Sequence, residues 1–171
     1  MSTSAVDLAH YFDYLCKARE RLLGWVGSQP VEAYTRAFPF GMGSIRATLI
    51  HTAGAQYSYT QRLSGKEFAP ADNPFSVDKL PTFEPFVAAW SRLNPQTRQA
   101  LAELGDGTRH IEFTNRMFTP PRRIRATAAG IAGQLFFHEV HHRAQVMAML
   151  RQLGVAAQDL DYSVMMFERV E

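Results

Sequence analysis

At positions 138 and 142 a histidine stands inside the most apolar helical stretch of the chain. The stretch is Gln134-Leu135-Phe136-Phe137-His138-Glu139-Val140-His141-His142-Arg143-Ala144-Gln145-Val146-Met147. A spacing of four puts both imidazoles on one helical face, one turn apart. At ~100° per residue the inward stripe of this helix reads Ile131, Leu135, His138, His142, Gln145 or Val146, Met149 and Leu153. Polar residues fill the middle of that stripe, and its ends stay apolar. A buried polar group without a partner costs ~1–3 kcal/mol, so this cluster needs a shared one. A metal ion is the simplest candidate, because neutral imidazole is a borderline-soft ligand for Zn, Ni, Fe or Cu. The competing reading is a pair of core histidines bonded to other side chains or water. The spacing of the pair and the neighbouring Gln145 favour the metal.

Two ligands are too few for a tight site, so a third must come from elsewhere. His10 falls on the polar face of the first helix, and His110 sits in a short extended segment. His141 is ~80° off the bisector of the pair and flanks it at best. His51 lies in the middle of the second helix, among the small residues Ser44, Ala47, Gly54, Ala55 and Ser58. Such neighbours leave room for a close helix or a cavity. Yet His51 is ~115° from the centre of that helix's apolar stripe, so the helical wheel permits it without selecting it.

His138-Glu139-Val140-His141-His142 also satisfies H-E-x-x-H, the zinc-peptidase pattern in which the Glu is the general base. Five residues are not specific. The extended pattern wants a glycine and a third histidine downstream, where Gln145 and Ala148 stand. Asp159, Asp161 and Glu168 leave a carboxylate ligand open. The surrounding pattern is all-helical, without the sheet usual in such peptidases, and this argues against a peptidase.

The elements that must position these residues are four long helices. The first spans about 4–26, with Ala5, Leu8, Phe12, Leu15, Leu22 and Val26 inward and Arg19 the one residue out of character; His10, Tyr14, Lys17 and Arg21 fall on the polar face. Residues 30–43 read as a loop. The second helix runs over 44–63, capped by Ser44, stopped at Ser64-Gly65, and turned inward along Ile45, Leu49, Thr52, Gln56, Tyr59 and Leu63. A long connection, 66–81, follows. Thr82 caps a third helix that Asn94-Pro95 should kink or restart before it ends near 104. Segments 109–113 and 122–126 can pair as a hairpin. The fourth helix spans 127–153 and is stopped by Gly154. The tail, 159–171, is too apolar to hang free and should pack on the bundle or on another chain. The expected fold is therefore all-α: a four-helix bundle with one long crossover and a small hairpin, the whole chain 1–171 forming one domain.

Composition bounds the partners. The chain has 171 residues and a formal net charge of +2, too weak for a nucleic-acid binder driven by phosphate contacts. Arg122-Arg123-Ile124-Arg125 reads as a solvated strand or loop edge. The lone Cys16 allows no internal disulfide and suits a cytoplasmic protein; it should pack at the inner edge of the first helix beside Phe12 and Leu15. There is no signal-peptide pattern and no run of the ~18 apolar residues that a membrane span needs.

Two blocks carry a resemblance. One is Gly43-Ser44-Ile45-Arg46-Ala47-Thr48-Leu49-Ile50-His51-Thr52-Ala53-Gly54-Ala55-Gln56; the other is His138-Glu139-Val140-His141-His142-Arg143-Ala144-Gln145. With the opening helix and the ending Leu150-Arg151-Gln152-Leu153-Gly154, the chain resembles, over nearly its whole length, the DinB-like family of four-helix-bundle metalloproteins, which includes the YfiT-type proteins. The resemblance implies that His51, His138 and His142 bind one divalent metal, zinc or nickel with iron as a further option. It also implies a homodimer, which would give the apolar tail a place to pack.

Three protein ligands leave positions open for water or substrate, as in catalytic sites. The resemblance implies a thiol-dependent S-transferase or isomerase, with a low-molecular-weight thiol attacking a small electrophile as a metal-bound thiolate. Gln145 is then a candidate for orienting a ligand or water, and Glu139 and His141 are candidate proton carriers, with plain solvated side chains as the alternative for both. Tyr57 and Tyr59 read as core aromatics. Two other functions stay open: hydrolysis by metal-activated water, and a non-enzymatic metal-binding or stress-response role.

Overall fold

The computed structural model of the chain describes residues 7–116, 118–168 and 170. It is mostly helical. Four long helices carry it: α1 (Leu8–Gly27), α3 (Ile45–Leu63), α4 (Phe83–Ala102) and α5 (Ala128–Gln152). Shorter elements are α2 (Val31–Thr35), α6 (Tyr162–Met166) and a 3₁₀ turn at Pro70–Asp72. The expected hairpin is present as β1 (His110–Asn115) and β2 (Arg122–Thr127), antiparallel, with His110 opposite Thr127.

Local chemistry sets the ends of these helices. Asp7 accepts from the His10 amide at 3.1 Å, Ser44 from Ala47 at 3.0 Å and Thr127 from Gly130 at 3.0 Å, each satisfying a first-turn N–H that the helix itself cannot. Gly65 and Gly154 end α3 and α5 at φ 67° and 83°, a region that glycine enters without penalty. The first helix therefore begins at Leu8 rather than near residue 4, and Ala5 of the expected stripe lies outside the described residues.

Helix α3 packs on α4 and α5, and α1 packs on the same two helices. Phe12, Leu15 and Leu22 of α1 meet Leu49 of α3, Phe86 and Trp90 of α4, and Leu135, Val146 and Met149 of α5 in one buried core. The connection from α3 to α4 wraps α3 at Gly54, whose carbonyl accepts from Asn73 Nδ2 at 3.0 Å. A Cβ on Gly54 would sit 3.3 Å from that nitrogen, so the small residue admits the crossover. Hairpin strand β1 leans on α3 on the same side of the molecule.

Further expectations change, and the stretch 30–43, read as a loop, contains α2. Helix α4 runs through Pro95 without a break. The lost N–H leaves the Ser91 carbonyl on an exposed turn where water can serve it, so no restart is needed. Asn94 is not a cap; its Oδ1 accepts from Arg19 Nη1 at 2.7 Å. Tyr14 is buried rather than on a polar face, because the tail covers it: its hydroxyl donates to the Leu160 carbonyl at 2.8 Å and accepts from Arg143. The described part of the tail thus packs on its own chain, with Tyr162 Oη 2.6 Å from His10 Nε2.

Arg19 lies in the middle of this core, 4% exposed. Its guanidinium donates to Glu139 of α5 at 3.0 and 2.5 Å, to Asn94 of α4 at 2.7 Å and to Gln56 of α3 at 2.9 Å. It also stacks 4.2 Å from the Trp90 ring, whose Nε1 donates to the same Gln56 oxygen at 2.7 Å. One side chain of α1 therefore bonds to each of the other three long helices. Replacing Arg19 by Met would leave a buried carboxylate without a counter-charge. We expect R19M to lose about 3–5 kcal/mol in denaturant unfolding, and R19M/E139L to recover much of that loss.

Candidate metal centre

The two helices that meet most extensively, α3 and α5, bring three histidines together. His51 faces α5 from the middle of α3, and His138 and His142 face it from successive turns. Their ligating nitrogens all lie within 4.8 Å of one another. The His51 and His138 Nε2 atoms are 3.1 Å apart, and the His51 and His142 rings have centroids 4.7 Å apart. Two nitrogens bound to one ion at ~2.1 Å and a tetrahedral angle are about 3.4 Å apart, so the spacing fits a shared cation. The donor set fits as well. Three imidazoles and, among the described residues, no carboxylate make a neutral, borderline-soft site of the kind zinc, nickel or iron takes. The cluster could hold a metal ion.

A ligand imidazole must be deprotonated. Burial pushes all three histidine pKa values down, and the positive charge of the neighbouring rings pushes further. His138 falls to about 4, burial acting first and His142, His51 and His141 adding to it. The rings are thus neutral at pH 7 without any metal.

Gln145 fixes one of them. Its Oε1 lies 2.8 Å from His142 Nδ1, so that nitrogen carries the proton and Nε2 keeps its lone pair for a cation. The Gln145 amide nitrogen is in turn 3.0 Å from His141 Nε2. His141 is exposed, and its ring stands edge-on to His142 with centroids 4.9 Å apart. The loop after α2 closes over Gln145 at Gly41 (φ 62°), where a Cβ would approach the Gln145 oxygen to 3.2 Å.

Glu139 stands elsewhere. It is buried, turned toward α1 and paired with Arg19, and it contributes no atom to the histidine cluster. The solvated alternative read for it in the sequence does not hold. The H-E-x-x-H match accordingly lacks its general base beside the histidines. Cys16 is half-buried, and burial pushes its thiol pKa up, which keeps it protonated. His110 lies exposed in β1, and the late acids lie outside the cluster.

An open groove of about 1180 Å³ leads to His51 and His138. The small face of α3 (Gly54, Ala55 and Ser58) forms its floor, and the 65–75 connection and β1 form its walls. Tyr59 also lines it, with its ring 6.0 Å from that of His138. The small residues beside His51 therefore leave space for a ligand. Sequence reasoning treated Tyr59 as a core residue and did not single out Arg62 of the groove wall, although the one-turn repeat of small residues after His51 pointed along this face.

A family profile matches residues 1–169, nearly the whole chain. The protein belongs to the DinB family. Among curated proteins, none matches. Membership agrees with the resemblance read from the two histidine blocks. No helix among the described residues is long and apolar enough to cross a membrane.

Three outcomes check the centre. His51→Ala and His142→Ala should each abolish stoichiometric divalent metal in purified protein, measured by elemental analysis. Gln145→Ala should keep the fold and weaken metal affinity by roughly 10–100-fold in chelator competition. Metal-free protein should lose thermal stability as pH falls from about 6.5 towards about 4, because over that range the unfolded chain takes up protons that the folded histidines refuse.

Proposed function

We propose that this DinB-family protein is a metal-dependent enzyme of the thiol-transferase type, with isomerisation of a small thiol adduct as the related chemistry. The observation that carries the reading is a set of three neutral imidazoles, free of carboxylates, at the end of an open groove. Three protein ligands leave room for a substrate atom. An ion held there would favour the thiolate form of a small thiol and so would supply a nucleophile near neutral pH.

The chain's own residues do the rest. His51, His138 and His142 would hold the cation from two rigid helices. Gln145 locks the His142 tautomer. The groove admits a small electrophile past Ala55 and Ser58. A sulfur–carbon bond forms as the leaving group departs with its electron pair, and the thiol proton leaves towards solvent beside the exposed His141. We assign Glu139 a structural role, through Arg19, rather than proton transfer. We also read the four long helices as a four-helix bundle forming one domain. We place the protein in the cytoplasm as a homodimer, with the exposed Phe137 and Val140 of α5 available to a second copy.

Thiol conjugation to a panel of small electrophiles, assayed beside amide and ester hydrolysis, tests the reaction. We expect conjugation that needs added metal and thiol and drops to background in His142→Ala. Hydrolysis without any thiol would replace this reading with metal-activated water. Stoichiometric metal with no turnover on the panel would replace it with a binding role.

A further inference from the structure

At the end of the groove away from the histidines stands Arg62, which the mechanism above does not use. It continues the line His51, Ala55, Ser58 along α3, one turn at a time. Eleven residues separate the two ends, about 16 Å along the helix axis. Tyr59 bridges them, its ring 6.0 Å from the His138 ring and 5.8 Å from the Arg62 guanidinium.

The guanidinium is boxed by aromatic faces: Phe113 of β1 at 4.0 Å, and Tyr59 and Phe68 at 5.8 Å each. Its Nε is buried and has no hydrogen-bond partner among the described residues. No carboxylate among the described residues lies within ion-pair reach of it. The acids of the groove wall are Glu67, Asp72 and Glu112. Glu112 is engaged by Arg123 and Arg125, and Asp72 accepts from the Ala69 amide. Burial pulls the Arg62 pKa below the usual arginine range. A half-buried cation with an orphaned donor is a feature that folded chains normally avoid, and stacking on rings satisfies the charge but not the N–H.

We propose that Arg62 binds an oxyanion, carboxylate or phosphate, on the small molecule that fills this groove. The rings enclose the Nε side of the guanidinium, and the terminal N–H donors of this groove-lining residue suit a planar carboxylate or a phosphate face. Together with the histidine cluster this defines the substrate class as elongated and anionic at one end, its reacting atom at the metal and its charged group at Arg62. The inference rests on reading the groove as the substrate site. Its test does not need the metal.

The test uses full-length ¹⁵N-labelled protein stripped of metal by chelation, titrated with inorganic phosphate, glutarate or neutral glutaramide. The Arg62 Nε–H resonance is assigned by its loss in Arg62→Lys. Phosphate or glutarate should shift that resonance saturably and glutaramide should not; the tighter of the two anions identifies the group. Arg62→Gln should weaken the better anion by about tenfold or more, as a lost charge-assisted bond does. An unmoved Arg62 resonance, or an Arg62→Gln protein that binds the anion like wild type, would overturn the proposal. The same titration on His142→Ala should be unchanged, so loss of metal binding and loss of the anion site fail separately.

Discussion

One guanidinium governs how this molecule fits together. Among the described residues, Arg19 is the only side chain of α1 that bonds to α3, α4 and α5 at once, and the residues it chooses lie close in sequence to the clustered histidines. Glu139 follows His138 directly, and Gln56 lies five positions after His51. When Arg19 draws Glu139 and Gln56 to one point, it fixes the axial register of α5 against α3. That register decides whether His51 meets the His138–His142 pair. A slip of one residue along either helix moves a side chain by ~1.5 Å and ~100°, more than a shared cation tolerates. Apolar packing of leucines alone allows several near-equal registers, and a fully bonded charge allows one.

The centre itself depends on desolvation. Burial and mutual proximity keep three imidazoles neutral, at a cost that the fold carries before any ligand arrives. This is a local conflict between stability and function, since apolar residues at 51, 138 and 142 would pack without it. The conflict is confined to the edge of the core. His51 and His138 are only half-buried, and the apolar residues Leu135, Val146 and Met149 continue the same helix face on either side. Two long helices hold the histidines, while the connection and the hairpin form the walls of the groove.

Much of this was legible in the sequence, and the remainder was hidden for identifiable reasons. The 3.6-residue period, the cap Ser44 and the stops Ser64-Gly65 and Gly154 placed α3 and α5 within a residue of their observed ends. The polar interruption at His138, His142 and Gln145 marked the site. His51 could not be chosen from the wheel, because the centre lies off the main apolar stripe of α3, where that helix turns from the core toward the groove. Arg19 stood out as the wrong residue in an inward stripe, yet its partner lies 120 positions away. No periodicity encodes such a pairing; only the fold brings the two together. Tyr14 was misplaced for a related reason. A helical wheel shows which face is apolar, but it does not show that the chain's own tail returns to cover the other face.

The same limit explains why five letters can resemble a peptidase. In H-E-x-x-H chemistry the Glu must share the metal's side of the helix with the two histidines. Position 139 is ~100° from position 138, and which way it turns depends on the partners the helix finds. Here Arg19 waits on the α1 side and takes both carboxylate oxygens. A carboxylate so bound faces Arg19 and stands outside the histidine cluster, too far to remove a proton there. Beside the histidines stands Gln145 instead, bonded to His142 Nδ1 and 3.0 Å from His141 Nε2. The motif is therefore divided between two jobs: its histidines belong to the centre, and its glutamate belongs to the core that aligns them.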